Sequence, residues 1–185
     1  MKKTLLIIFL LMAARTISVA QSSSAFSNGD NLFNAGIGIG TPFFGSGYSS
    51  SLPVNPTISY ERGITDQISV GAQLSYASSK YSFDDGFGDD YSFTESAVYV
   101  GARGSYHFGE QLGLDSKFDV YGGVSAGYVV VTVSDNEGDS DTGTSKPGFG
   151  AFAGGKYFFQ PKLGVYAEVG YQSLSYLNIG LAFKF

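Results

Sequence analysis

Apolar and polar residues alternate along eight stretches of this 185-residue chain, and this alternation is the main structural signal in the sequence. Side chains of a β-strand point to opposite faces in turn, so a period of two predicts strands that have one apolar face. In the last stretch, residues 176–185, five apolar side chains share one face: Leu177, Ile179, Leu181, Phe183 and Phe185. The chain therefore ends on a strand that needs a partner.

The alternating stretches predict eight strands, separated by three long polar segments and several short turns. Pro56 weakens the second strand, because proline cannot donate a hydrogen bond to a ladder. The long segments, predicted as loops, cover residues 41–53, 78–94 and 134–147. The predicted strands cover about residues 32–40, 54–61, 68–76, 95–108, 118–130, 148–159, 163–171 and 176–185.

The arrangement of these strands favours a closed barrel in a membrane over a barrel in water. An unpaired apolar edge strand would aggregate, so the last strand is expected to pair with the first. A soluble lipocalin-like barrel would also alternate. However, only 15% of the residues are charged, against about 25% in soluble domains. Half of the 16 acids lie in the three predicted loops. The sequence predicts an all-β fold, a closed eight-stranded antiparallel up-and-down transmembrane β-barrel.

The carboxy-terminal strand also carries a short motif. A polar residue is followed by glycine two positions on and by aromatic residues five and seven positions on, at Asn178, Gly180, Phe183 and Phe185. This motif resembles the assembly signal of bacterial outer-membrane barrels. Over about residues 31–185 the chain resembles the small eight-stranded outer-membrane barrel family, the type of OmpX and the membrane domain of OmpA. The resemblance implies the Gram-negative outer membrane, recognition by the barrel-assembly machinery, and lipid and lipopolysaccharide as neighbours.

The first 20 residues read as a secretory signal peptide. Lys2 and Lys3 precede an apolar run over residues 5–14, which is too short to span a membrane as a helix. Small residues then lead to a predicted cleavage between Ala20 and Gln21. The signal indicates export through the inner membrane.

Three segments follow from these assignments. Residues 1–20 are the signal peptide, residues 21–31 a flexible periplasmic lead rich in Ser, Asn and Gly, and residues 32–185 the barrel domain. Without the signal, the chain would keep 8 basic and 16 acidic residues, a net charge of −8. This charge disfavours nucleic-acid binding. The absence of cysteine excludes disulfides, a thiol nucleophile and lipoprotein acylation.

The polar faces of the strands bring six charged side chains together in the periplasmic half of the lumen. We expect them to form a paired polar core that plugs the barrel, since an eight-stranded barrel is just wide enough for side chains to fill. A gated ion path is the alternative. The three acids and three bases are Glu61, Asp119, Glu168, Arg103, Lys156 and Lys184.

Two other kinds of site receive less support. A lipid-modifying enzyme would need a histidine beside a serine and an acid near the outer leaflet, but the only histidine, His107, is predicted at the periplasmic end of its strand. The acidic run 135–141 could bind calcium, but its spacing does not fit an EF-hand loop. Neither a metal site nor a cofactor is predicted.

The leading functional hypothesis is a non-enzymatic, monomeric outer-membrane barrel with a plugged lumen and surface-exposed acidic loops, serving a structural or surface-interaction role. A narrow channel or carrier for small solutes is the first alternative, and a lipid-modifying outer-membrane enzyme is the second. The sequence names no extracellular ligand.

Overall fold

The computed structural model describes residues 24–42, 49–50, 55–84, 90–135, 140–143 and 145–185. The predicted signal peptide and its cleavage site lie outside the described residues.

The described part of the chain forms ten strands and one short helix. Eight of the strands form the barrel, while the short strands β2 and β7 pair only with β4 and β6. The strands are β1 (Asn31–Ile39), β2 (Ser49–Ser50), β3 (Asn55–Gly63), β4 (Ile68–Asp84), β5 (Asp90–His107), β6 (Phe118–Asp135), β7 (Ser140–Thr142), β8 (Lys146–Gln160), β9 (Leu163–Gln172) and β10 (Leu177–Lys184).

The barrel closes by pairing its first and last strands. β1 and β10 run antiparallel from the pair of Leu32 with Lys184 to the pair of Ile39 with Leu177. The ring then continues through β9, β8, β6, β5, β4 and β3 back to β1, with every neighbouring pair antiparallel. This arrangement confirms the predicted closed eight-stranded barrel.

The two faces of the barrel wall differ in polarity as the alternation predicted. Val124, Phe149 and Val169 are more than 60% exposed on the outer face, which is apolar all the way round. Most polar strand residues, such as Ser59 and Gln73, are buried on the inner face. The barrel therefore has an apolar outer surface and an interior filled with mostly polar side chains.

Three strands are much longer than the sequence predicted. β4, β5 and β6 contain 17, 18 and 18 residues, against 8 to 10 in β1, β3, β9 and β10. The loops predicted over residues 78–94 and 134–147 are wrong in extent, because β4 pairs with β5 as far as Asp84 and Asp90. Aromatic positions oppose each other there, as in the pair of Tyr81 with Phe93. Such residues favour strands even in a polar context.

The only helix in the described ranges is α1 (Gly109–Leu112), which lies between β5 and β6. It ends at Gly113, whose φ of 61° is in the left-handed region that favours glycine. No helix in these ranges has the length and hydropathy needed to cross a membrane.

The structure differs from the predicted flexible lead over residues 24–31. Ala25 and Phe26 are 2% and 1% exposed, and they pack with residues from the inner face of the barrel. The backbone is also fixed, since Gly29 donates to the Gly63 carbonyl at 3.0 Å and Gly63 donates to the Asp30 carbonyl at 2.8 Å. The packing of this segment was not predicted because its composition is rich in Ser and Asn.

Candidate functional site

The centre of the lumen is a buried arginine held between two carboxylates. Arg103 on β5 places Nη2 2.7 Å from Glu168 Oε1 and Nε 2.9 Å from Glu61 Oε2. All three side chains are about 1% exposed. The alternation of β3, β5 and β9 points these residues inward, and the barrel brings together strands that are far apart in sequence. The structure thus places three residues of the predicted polar core in contact with one another.

Uncharged side chains make further contacts with these three charged residues. Glu61 Oε1 accepts hydrogen bonds from Ser69 at 3.0 Å and from Ser105 at 2.8 Å. Tyr121 donates to Glu168 Oε1 at 2.9 Å, and the Arg103 guanidinium lies 4.3 Å from the centre of the Phe152 ring. Buried charges persist only when they are paired and hydrogen-bonded in this way.

A second charged group lies toward the periplasmic end. Asp119 on β6 faces Lys156 Nζ at 3.4 Å and His107 Nδ1 at 2.7 Å. The Lys156 ammonium also sits 3.5 Å from the centre of the Tyr121 ring, which links it to the first trio. Together, Glu61, Arg103, Asp119, Lys156, Glu168 and His107 form what we call the lumen cluster.

Lys184 does not belong to the lumen cluster, and its predicted membership is wrong. Its ammonium donates to the Ala25 carbonyl at 2.9 Å and lies 3.9 Å from Asp30. The side chain is 22% exposed because Lys184 is the last residue of β10, at the periplasmic rim. The period-two alternation predicted correctly which face of β10 carries Lys184. Its partners differ from the prediction because it lies at the end of the strand.

His107 has a serine partner that sequence reasoning missed. Ser69 Oγ is 2.9 Å from His107 Nε2, so Ser69, His107 and Asp119 are arranged like a hydrolase triad. The serine hydroxyl, however, also lies 3.0 Å from Glu61 Oε1, and this carboxylate competes with His107 for its hydrogen. Ser69 is fully buried, and the Phe26 ring stacks on His107 with centroids 3.6 Å apart. Ser69 in this trio is therefore not an open, activated nucleophile.

The outer end of the lumen is closed by the connection between β9 and β10. Leu174 is fully buried there, and Asn55 Nδ2 donates to its carbonyl at 2.6 Å. Ser173 has a positive φ of 61°, which turns the chain inward. The sequence predicted an entirely polar filling, but this part of the lumen is apolar. Leu174 packs in one cluster with Ala77, Ala97, Tyr99, Val129 and Val131.

The carboxy-terminal motif residues have structural places in the barrel. Asn178 is buried and donates to Gln172 Oε1 at 2.9 Å, whereas Phe185 is 61% exposed. Phe183 lies beside Phe33 with ring centroids 6.2 Å apart. Gly180 pairs with Gly36 across the closing seam. Recognition of this motif by the assembly machinery stays a prediction.

The possible calcium site over residues 135–141 lies outside the described side chains.

A closed eight-stranded antiparallel barrel with an apolar outer face and an ion-paired interior is a transmembrane β-barrel of the bacterial outer-membrane class. The family model described as the outer membrane protein beta-barrel domain matches residues 7–185. The chain belongs to this family, and the family implies the bacterial outer membrane. A comparison with curated proteins finds no match.

Solved structures share the fold at low sequence identity. Neisserial surface protein A (NspA) has 18% identity and a TM-score of 0.51, with 88% of this chain and 98% of that chain covered. The outer membrane protein OprG from Pseudomonas aeruginosa has 12% identity and a TM-score of 0.50, with coverages of 86% and 97%. Ail, the attachment invasion locus protein of Yersinia pestis, has 18% identity and a TM-score of 0.48, with coverages of 85% and 99%. At such identities the likeness concerns the fold alone.

Proposed function

We propose that this protein is a non-enzymatic outer-membrane barrel that acts through a sheet projecting from its outer end, and not by transport through its lumen. The observation that carries this proposal is the unequal length of the strands. β3 leaves β4 at the pair of Thr57 with Ser75, while β4 continues over residues 76–84.

The projecting part is a sheet built by three strands. We call the outer extension residues 78–84 of β4, 90–96 of β5 and 132–135 of β6. At about 3.3 Å per residue, the β4 part alone reaches roughly 23 Å past the end of β3. The short strands β2 and β7 pair with β4 and β6 and cover part of its two edges. A membrane strand needs only about 9 to 11 residues, so the extension is not required for spanning.

The lumen offers little support for transport. The lumen cluster fills its middle, the Leu174 connection closes the outer end, and Phe26 covers His107 at the periplasmic end. The width of an eight-stranded barrel leaves little space beside such side chains. The same burial removes Ser69 from any substrate, which supports a non-enzymatic role.

The charge of the segments next to the outer extension indicates the kind of partner that it would contact. Residues 84–90 and 135–141, which join or follow the strands of the outer extension in the sequence, contain eight carboxylates and no basic residue. Opposite charge steers and strengthens association over about a Debye length. We infer that the extension contacts surfaces that present positive charge, including lipopolysaccharide covered by divalent cations.

The test compares attachment of the protein in lipid nanodiscs to polylysine-coated surfaces and to lipopolysaccharide vesicles with and without Mg²⁺. One variant replaces residues 81–93 by Asn-Gly, and a second converts the eight acids to their amides. We expect both variants to lose most attachment at low salt. The matched control, with Glu110 and Asp115 converted to amides at the other end of the barrel, should attach like the wild type. Equal attachment by all proteins would contradict the proposal.

Conductance in a planar bilayer provides a second check. The closed lumen predicts no unitary current steps from the wild-type protein. Reproducible steps that disappear when lumen cluster residues are substituted would instead favour the narrow channel.

A further inference from the structure

The outer wall of the barrel carries an apolar groove near its outer end. The groove is a depression of about 390 Å³ bounded by β1, β3, β4 and β5. Pockets that hold small ligands span about 300 to 1,000 Å³, so this volume is large enough for part of an acyl chain. The outward-facing side chains that line it are Ala35, Pro56, Ile58, Leu74, Tyr76 and Val98.

The groove forms where two strands of the wall separate. β3 pairs with β4 only as far as Thr57 with Ser75, so Pro56 and Tyr76 no longer oppose each other in a ladder. Pro56 has no N–H to donate to a neighbouring strand. Ala35, which lies opposite Ile58, adds only a methyl group to the wall. The depression therefore follows from the strand separation and from the small side chain beside it.

A band of hydroxyl groups lies directly beyond the groove on β4 and β5. Tyr76 Oη is 3.1 Å from Ser96 Oγ, and Ser78 Oγ is 3.3 Å from the same oxygen. Tyrosine is enriched at the headgroup level of membranes, because its ring is apolar and its hydroxyl is polar. This hydroxyl band marks the level at which the wall passes from acyl chains to headgroups.

Lys80 places a positive charge beyond the hydroxyl band. It is exposed, and the alternation of β4 puts it on the same face as Tyr76 and Ser78. Four residues of a strand tilted by about 40° place it roughly 10 Å beyond Tyr76 along the membrane normal. Among the described side chains no carboxylate forms an ion pair with Lys80. A lysine at this level attracts the phosphate of a lipid headgroup.

We propose that this part of the wall binds one lipopolysaccharide molecule, with an acyl chain of its lipid A in the groove and a lipid A phosphate at Lys80. The groove is continuous with the lipid-facing surface of the barrel, so its occupant is a lipid chain. It lies at the outer end, and lipopolysaccharide forms the outer leaflet of the outer membrane. The hydroxyl band offers hydrogen bonds to the sugar of lipid A, which a phospholipid lacks. Groove, hydroxyls and cation thus match the acyl chains and the phosphorylated sugar in order.

The test is native mass spectrometry of the protein in detergent with added bisphosphorylated lipid A and EDTA. EDTA removes the divalent cations through which the acidic segments of the proposed function would contact lipopolysaccharide, so the two proposals are tested separately. We expect one lipid A to stay bound to each barrel. Barrels without bound lipid A, or pairs of barrels held together without lipid, would overturn the proposal.

Two variants with matched controls locate the site. Ala35→Phe fills the groove and Lys80→Gln removes the charge, and each is expected to weaken lipid A binding roughly tenfold. Ala151→Phe, on the outer face of β8, and Lys162→Gln, an exposed lysine at the periplasmic end, should bind like the wild type. All four changes lie on the surface, so the folded band on unheated gels should be retained. Equal binding by the variants and their controls would contradict the site.

Two further lipids identify the groups that are recognised. With dephosphorylated lipid A, Ala35→Phe should still weaken binding, whereas Lys80→Gln should have no effect. An effect of Lys80→Gln on this lipid would contradict the phosphate contact. Phosphatidylglycerol, which has a phosphate and acyl chains but no phosphorylated sugar, should bind roughly tenfold more weakly than lipid A. Equal or tighter binding of phosphatidylglycerol would assign the site to a phospholipid and overturn the assignment to lipopolysaccharide.

Discussion

Arg103→Ala is expected to lower the free energy of unfolding of the barrel by about 3 to 5 kcal/mol, because it leaves two buried carboxylates without their shared cation. Glu61 and Glu168 both lie within 3 Å of the guanidinium, and both side chains are buried away from water. The measurement is urea unfolding in lipid vesicles, followed by circular dichroism or by the mobility of unheated samples on gels, since the chain has no tryptophan.

Arg62→Ala is the matched control for Arg103→Ala. Arg62 is exposed at the end of β3, with one hydrogen bond of 3.4 Å to Asn31. Exposed contacts of this kind contribute about 0 to 1 kcal/mol. Equal stability of the two variants would refute the stabilising role of the lumen cluster.

Gly180→Leu is expected to prevent closure of the barrel. A Cβ at Gly180 would fall onto the Ala35 carbonyl oxygen and the Gly36 Cα, so the strands of the closing seam would have to separate. Overpacking in a well-packed interior typically costs about 1 to 3 kcal/mol. We expect the upper end or more, because the obstacle is backbone and cannot rotate away.

Refolding into detergent without any assembly factor isolates this effect from recognition of the carboxy-terminal motif. The folded band on unheated gels should disappear for Gly180→Leu. Gly155→Leu, on the outer face of β8 where a Cβ would have only an ordinary contact at 3.7 Å, should fold like the wild type. A folded band of normal intensity for Gly180→Leu would show that the seam has more space than the structure indicates.

Period-two alternation predicted the wall of this barrel well, because burial on one face leaves a strong signal in every strand. Glu61, Arg103, Asp119, Lys156 and Glu168 were found from the face that each shares with small polar neighbours. The closing pair was predictable because a terminal apolar strand cannot stay unpaired.

The remaining features depend on contacts that the local sequence does not encode. Phe26 is a single aromatic residue in a Ser- and Asn-rich segment, and its partner His107 is far along the chain. Ser69 could have been predicted from the alternation on β4. It is the residue after Ile68 and faces the inside of the barrel, and β4 pairs with β5, the strand that carries His107. The length of β4 was underestimated because Ser and Asp weaken the strand signal.

The apolar face of each strand is expected to meet lipid, and single cysteines with a lipid-soluble quencher test this directly. Fluorophores on cysteines at Val124, Val165 and Val169, which point outward, are compared with fluorophores at Ser59, Ser105 and Ser125, which point inward. In bilayers that contain nitroxide lipids, we expect strong quenching of the outward set and little quenching of the inward set. Equal quenching of both sets, or stronger quenching of the inward set, would contradict the orientation on which the fold, the lumen cluster and the proposed function all depend.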